Sequence, residues 1–374
     1  MIYLDNAATG GFKPSQAIEA AFFAMKYLNA NAGRSGHRLA ITCADEVYET
    51  RKTLARIFSA KIERVIFTAN CTAALNQAIY GLATSGSNVV TTVTEHNSVL
   101  RPLYDLEKRG EITLTVVAPE TGGVTADDIA NAITDETRLV VVNAVSNVTG
   151  APNDVYAIGE MLEKRNINYI VDGAQAGGHI PLDVQKLKCD ALCLAGHKGL
   201  YSIQGAGALI LGNRTVIKPL LRGGTGIDSF NPDMPDDLPD RLEAGTLALP
   251  AIRSLKEGAA YACGALSYTA GQLTALTDRL ISELSDRPYL TVYSLPNPCG
   301  IVAFKHKEIP SQEVADLLSE RYDIAVRGGY HCAPLMHKFL GTEKFGLVRV
   351  SASPMNTRRE IKALISALDE ITLS

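Results

Sequence analysis

At 374 residues, 46% hydrophobic and 20% charged, the chain has length for a substantial buried core and an ordinary globular balance, which excludes disordered, collagen-like and low-complexity readings. The 36 basic residues against 40 acidic ones, a net charge of -4, leave no nucleic-acid footprint. Met1-Ile2-Tyr3-Leu4-Asp5-Asn6 has neither the charged nor the apolar region of a signal peptide, no stretch reads as a membrane span, and the seven scattered cysteines show no CxxC spacing; disulfides and a zinc site are not expected, and a reducing cytoplasm is.

Along the chain, strand-like and helix-like segments alternate. Residues 64–68 read as a strand and 72–84 as a helix; 88–93 is the next strand, followed by a helical pattern over 98–109 and a strand over 112–117. Thr125 is the expected N-cap of a helix to Ala132, with Asp127 and Asp128 favouring its positive end. Residues 138–143, Arg138 to Asn143 with only apolar residues between them, carry the signature of a strand buried on both faces. A helix over 155–165 and strands over 168–171 and 191–194 follow. Strands separated by helices of this length predict a mainly parallel sheet covered on both faces, with ligands beyond the carboxyl ends of its strands.

Residues 222–250, rich in Gly, Pro and Asp, read as a long loop of the kind that is usually functional. One long helical region, 254–287, comes next, then a smaller α/β unit with strands near 300–304 and 347–351. The expected division is a large unit over 15–250 and a small one over 251–374 that also takes in the segment 1–14. Gly205-Ala206-Gly207-Ala208 lacks a full dinucleotide fingerprint and precedes a strand, so it is set aside.

Four groups of polar residues follow apolar runs directly. Lys198, in Gly196-His197-Lys198, sits where partial desolvation lowers an amine's pKa and frees it to form an imine; alone it reads as a surface lysine. Asp172, with Gln175 beyond it, is a helix cap on its own and a pyridinium partner in a pyridoxal-phosphate site. His96 places an imidazole at another strand end, suited to stacking and to proton transfer. Asn70-Cys71-Thr72 opens a helix whose N–H groups suit a phosphate.

In this order and spacing the four groups resemble the class V aminotransferase family of pyridoxal-phosphate enzymes, the fold type I architecture. The likeness begins at Tyr3-Leu4-Asp5-Asn6-Ala7-Ala8-Thr9, runs through Glu95-His96-Asn97-Ser98-Val99 and Gly196-His197-Lys198, and reaches Arg241-Leu242-Glu243-Ala244-Gly245-Thr246. Arg327-Gly328-Gly329-Tyr330-His331-Cys332-Ala333-Pro334 is similar to the reactive-cysteine loop of group II cysteine desulfurases, which include selenocysteine lyases. Without that motif Cys332 reads as a core thiol; beside Arg327 and His331 a thiolate-promoting setting is expected.

The resemblance implies that Lys198 carries pyridoxal 5'-phosphate as a Schiff base and moves the substrate α-proton. It further implies that Asp172 holds the pyridine nitrogen, Gln175 the phenolic oxygen, and His96 the ring face. Cys71, Thr72 and His197 are the implied phosphate ligands, completed by Gly224 and Thr225 of a second subunit in a homodimer. Asn147, Arg349, Arg327 and His37 fall to the substrate side, Arg349 clamping the carboxylate with two parallel hydrogen bonds. The implied activity converts L-cysteine to L-alanine, leaves a persulfide on Cys332, and passes the sulfur to an acceptor protein. A selenocysteine lyase or an aminotransferase is the rival on the same scaffold, and a non-catalytic sulfur-relay protein the rival from another class. Three departures stand out: Asn70-Cys71 where the group shows Gly-Thr, Ala195 where a serine is common, and a loop one residue shorter after Cys332.

Overall fold

The computed structural model describes residues 1–120 and 122–373; Thr121 and Ser374, each within one of the two expected units, lie outside them. In chain order its first half comprises β1 (Ile2–Tyr3), α1 (Ser15–Tyr27), α2 (Arg38–Ile57), β2 (Val65–Thr68), α3 (Cys71–Leu82), β3 (Ser87–Thr92), α4 (Asn97–Lys108), β4 (Ile112–Val117), α5 (Ala126–Ala132), β5 (Thr137–Asn143), α6 (Val155–Glu163) and β6 (Asn168–Asp172). The second half adds β7 (Ala191–Ala195), β8 (Gly207–Leu211), α7 (Leu249–Gly264), α8 (Leu266–Ser285), β9 (Leu290–Val292), β10 (Ile301–His306), α9 (Ser311–Tyr322), β11 (Ile324–Ala325), α10 (Pro334–Phe339), β12 (Val348–Ser351) and α11 (Arg358–Leu373).

Seven strands form the main sheet in the order β2-β8-β7-β6-β5-β3-β4. All run parallel except β8, which is antiparallel to both β2 and β7. The short connection over 196–206 turns β7 straight back into β8, which only an antiparallel neighbour permits. The fold class expected from the alternating pattern is the one observed. β5 is buried along nearly its whole length, as its apolar run requires. One face of the sheet packs through Val140, Val142, Leu192 and Leu194 against α2, α6 and α7; the other packs through Val141, Ile170 and Cys193 against α3 and α4. Thr125 caps α5 as expected, in a reciprocal capping box with Asp128.

The single helical region expected over 254–287 is two helices, broken at Ala265 (φ −110°, ψ 6°). The cause is a change of core. Ile252, Leu255 and Ala259 of α7 face the large sheet, whereas Leu273, Leu280 and Leu284 of α8 face a second core built on β9, β10 and β12. Residues 222–250 form a loop apart from one 3-10 turn, Asp240–Leu242, and the first turn of α7, which already includes Pro250. β1 pairs in parallel with β11, and Asp5 bridges to Ser351, so the N-terminal segment is seated on the C-terminal strands.

Candidate active site

Because β2, β3, β5, β6 and β7 are parallel, their carboxyl ends share one edge, and the polar residues that follow them converge. They surround a cavity of about 230 Å³. Cys71, Thr72, His96, Asn147 and Asp172 line one part of it; Gln175, His197, Lys198, Arg327 and Arg349 line the rest. Ten of the residues singled out from sequence are thus brought together.

Lys198 and Asp172 are the charged pair at its base. Burial pushes the Lys198 amine below the ordinary lysine range, while the Asp172 carboxylate opposes that shift. Burial raises the Asp172 carboxyl, against the hydrogen bond from Ala174 N–H and the charge of Lys198. Asp172 Oδ1 accepts from Ala174 N at 2.8 Å and from the Cys71 thiol at 3.5 Å, which leaves Oδ2 for a ligand. Burial and the neighbouring Asp172 drive the Cys71 thiol far up, so it serves here as a neutral donor.

His96 is the N-cap of α4. Its Nδ1 accepts from Ser98 N at 3.0 Å and lies 2.7 Å from Ser98 Oγ, so the ring proton belongs on Nε2. Burial and the charges of Lys198, Arg327 and Arg349 lower its pKa to about 4, so the ring is neutral near pH 7. His96 therefore offers the cavity a π-face and one N–H donor. Behind it the buried Glu95 accepts through Oε1 from Thr92 Oγ (2.7 Å) and Asn143 N (2.9 Å), while Oε2 has no partner.

Arg349, 1% exposed, is the largest fully buried side chain. One terminal nitrogen donates to Asn147 O at 3.0 Å and the other pairs with Asp5 Oδ1 at 2.8 Å; Nε has no partner. Asn147 Nδ2 holds His331 O at 2.8 Å, and Asn147 Oδ1 is also without a partner. Unpaired buried polar atoms at a cavity wall are what an absent polar ligand leaves behind.

Cys332 is exposed at the rim and borders a neighbouring cleft with Thr72, His96 and Arg101. Its Sγ lies 3.7 Å from an Arg327 terminal nitrogen. His331 and Cys332 occupy the left-handed region (φ 49° and 58°), a conformation that costs non-glycine residues of order 1–3 kcal/mol and clusters at functional sites. The loop is fastened on both sides: Asn97 N donates to Cys332 O at 2.7 Å, and the buried His331 ring contacts Leu347 O at 3.0 Å.

Three expected residues lie elsewhere. His37 is the exposed N-cap of α2, its Nδ1 accepting from Ala40 N at 3.3 Å. Gly224 and Thr225 lie on the surface loop, where Arg34 ties Gly224 O (2.7 Å) to Gly245 O (2.6 Å). Two contributors went unassigned from sequence, Asp5 as the counter-ion of Arg349 and Ser98 as the residue that fixes the His96 tautomer. Both lie inside motifs quoted above, but only the folded geometry shows what each touches.

A lysine on a strand-end turn, an aspartate on the adjoining strand and a buried arginine thus line one cavity. A family model for Aminotransferase class-V matches residues 2–364, and the chain belongs to that family. It is 32% identical to a protein named probable cysteine desulfurase from Methanothermobacter thermautotrophicus, over 99% of this chain and 94% of that protein. A relative of the same name from Pyrococcus abyssi is 31% identical over 100% and 95%. Among solved structures, the apo cysteine desulfurase of Thermococcus onnurineus superposes with a TM-score of 0.90 at 29% identity, covering 99% of this chain and 94% of that one. No helix among the described residues is long and apolar enough to cross a membrane.

Proposed function

We propose that this chain is a pyridoxal 5'-phosphate-dependent cysteine desulfurase, which converts L-cysteine to L-alanine and carries the sulfur on Cys332 to an acceptor protein. The observation that carries this reading is the placement of an exposed cysteine, on a fastened and strained loop beside Arg327, at the rim of a cavity that holds a lysine-aspartate pair and a buried arginine. The names borne by the relatives point the same way.

The residues present fit the cofactor. Asp172 keeps Oδ2 for a pyridine nitrogen, and the His96 ring offers a stacking face. Thr72 and the first N–H groups of α3 form a cradle for phosphate, with His197 beside them. Cys71 contributes a backbone amide and, in place of a hydroxyl, the thiol that steadies Asp172. Gln175, whose Nε2 donates to Ala7 O at 3.1 Å, would serve the phenolic oxygen.

When bound, the cofactor withdraws the electron pair left on the substrate α-carbon after proton loss. Lys198 Nζ, its pKa lowered by burial, would bind the cofactor and then take and return that proton. Arg349 and Asn147 receive the carboxylate, with Arg327 adding positive charge toward the sulfur. Cys332 Sγ attacks the substrate sulfur; a sulfur–sulfur bond forms as the carbon–sulfur bond breaks, and the carbon keeps the electron pair. In this reading the enzyme is cytoplasmic and homodimeric, with Gly224, Thr225 and His37 presented to the site of a second copy. Residues 15–250 form its large unit, and 251–374 with segment 1–14 the small one.

The test is to load wild type and Cys332→Ala with cofactor, record absorption spectra, and assay sulfide and alanine release from L-cysteine under reductant. Both proteins should be yellow, and only the wild type should release either product. A fully active variant would make Cys332 structural and favour the aminotransferase or selenocysteine-lyase reading. A wild type left colourless by added cofactor would refute the role of Lys198.

A further inference from the structure

We propose that Asp5 is the positioning residue of Arg349, held in place by an N-terminal strap that also grips the Lys198 turn. This rests on the reading of Arg349 as the seat of the substrate carboxylate.

A guanidinium is planar, so partners on two of its three nitrogens fix its plane. Asn147 O takes one terminal nitrogen and Asp5 Oδ1 the other, which leaves Nε as the unpartnered atom of a side chain 1% exposed. Asp5 makes the one salt bridge to Arg349 found among the described residues. Asp5 cannot swing away readily. Its backbone bridges Ser351, its carbonyl accepts from Tyr3 Oη at 3.1 Å, and the next two residues donate to Ser351 O (Asn6 N, 3.1 Å) and Ser351 Oγ (Ala7 N, 2.9 Å). A carboxylate so fastened orients the arginine; it does not compete with the substrate for it.

The same strap runs on to the lysine. Ala7 O holds Gln175 Nε2, and Thr9 Oγ1 lies 3.1 Å from His197 Nδ1. His197 O accepts from Gly10 N and Lys13 Nζ, each at 2.9 Å, and sits immediately before Lys198. One stretch of chain thus spans the distance between the carboxylate-binding and amine-binding ends of the site.

The experiment compares wild type, Asp5→Asn and Asp5→Ala as cofactor-loaded enzymes. Each is titrated with L-alanine and with ethylamine, the same amine without a carboxylate, while the cofactor absorption band is followed. KM and kcat for L-cysteine are measured alongside. Loss of a charge-assisted hydrogen bond predicts that the alanine dissociation constant and the cysteine KM rise roughly 10- to 100-fold in Asp5→Ala and less in Asp5→Asn. The ethylamine constant and kcat should stay within about threefold. Tighter or unchanged alanine binding in both variants would overturn the role, and so would an equal loss for ethylamine, which marks a general structural effect. Asp5→Asn, nearly isosteric, keeps the comparison open if Asp5→Ala does not fold. A wild type that responds to neither L-alanine nor L-cysteine would sink the functional reading itself, a result distinct from any failure of Asp5.

Discussion

Glu95 gives the sharpest test of the buried polar cluster behind His96. It is fully buried, and desolvation raises its carboxyl from 4.5 to about 8, against the hydrogen bonds from Asn143 N–H and Thr92 and with help from the negative charge of Asp172. The folded protein therefore holds a proton there that the unfolded chain gives up near pH 4.5. Between those two pH values the folded state binds the extra proton, so stability is fully present below the unfolded pKa and is lost as pH rises through the folded one. A shift from 4.5 to about 8 corresponds to a loss on the order of 5 kcal/mol once pH exceeds 8, of which about 3 kcal/mol has gone by pH 7. Glu95→Gln keeps the Oε1 acceptor and cannot ionise. Its NH2 group takes the position where Oε2 has no partner, a pH-independent offset of about 1–3 kcal/mol. Urea denaturation of both proteins from pH 5 to 9 separates the two effects, and since the chain has no tryptophan, far-UV circular dichroism reads the transition. The stability difference between variant and wild type should climb in the variant's favour by several kcal/mol from pH 5 to pH 8.5. Parallel pH profiles would refute a protonated Glu95.

Two further perturbations probe the frame of the site. Arg51 and Glu243 form an ion pair with side chains 7% and 6% exposed; Glu243 also accepts from Phe67 N, and the guanidinium lies over the Phe67 ring. Glu243→Gln leaves a buried cation without its counter-ion and should lower stability by about 3–5 kcal/mol, read from the urea midpoint. Gly178 has a φ of +84°, and an added Cβ would lie 2.0 Å from Gly199 O, next to Lys198. Gly178→Ala should therefore displace the lysine turn and weaken cofactor affinity by about tenfold or more, measured by titrating the cofactor into the apo variant.

Much of the large sheet is legible in the sequence because each parallel strand is an apolar run followed by a polar turn, as at Val171-Asp172-Gly173 and Ala195-Gly196-His197. That same rule locates Lys198, Asp172, His96 and the opening of α3 at one edge. Direction of pairing is less visible. Nothing in the hydropathy of Gly207–Leu211 tells that β8 runs against its neighbours. The break at Ala265 is hidden for a related reason, since α7 and α8 both carry helical periodicity but bury it in different cores. Motif likeness selects His37 and Thr225 without saying where they lie in a single chain. The partnership of Asp5 with Arg349 joins opposite ends of the sequence, and spacing carries no signal for it.

The seating of residues 2–13 also dictates an order of assembly. Ile2 pairs with Ile324, and Ser351 N–H donates to Leu4 O, so residues 2–13 find their places only after β11 and β12 have been made. Contacts of such separation form late and slowly, because a long loop must close before they contribute. Arg349 gains its counter-ion, and the Lys198 turn its grip, in the step that closes the chain. A polypeptide that ends before β12 lacks Arg349 altogether, whereas one that lacks only residues 2–13 keeps Arg349 and loses both its Asp5 counter-ion and the hydrogen bonds that Gly10 and Lys13 make to His197 O.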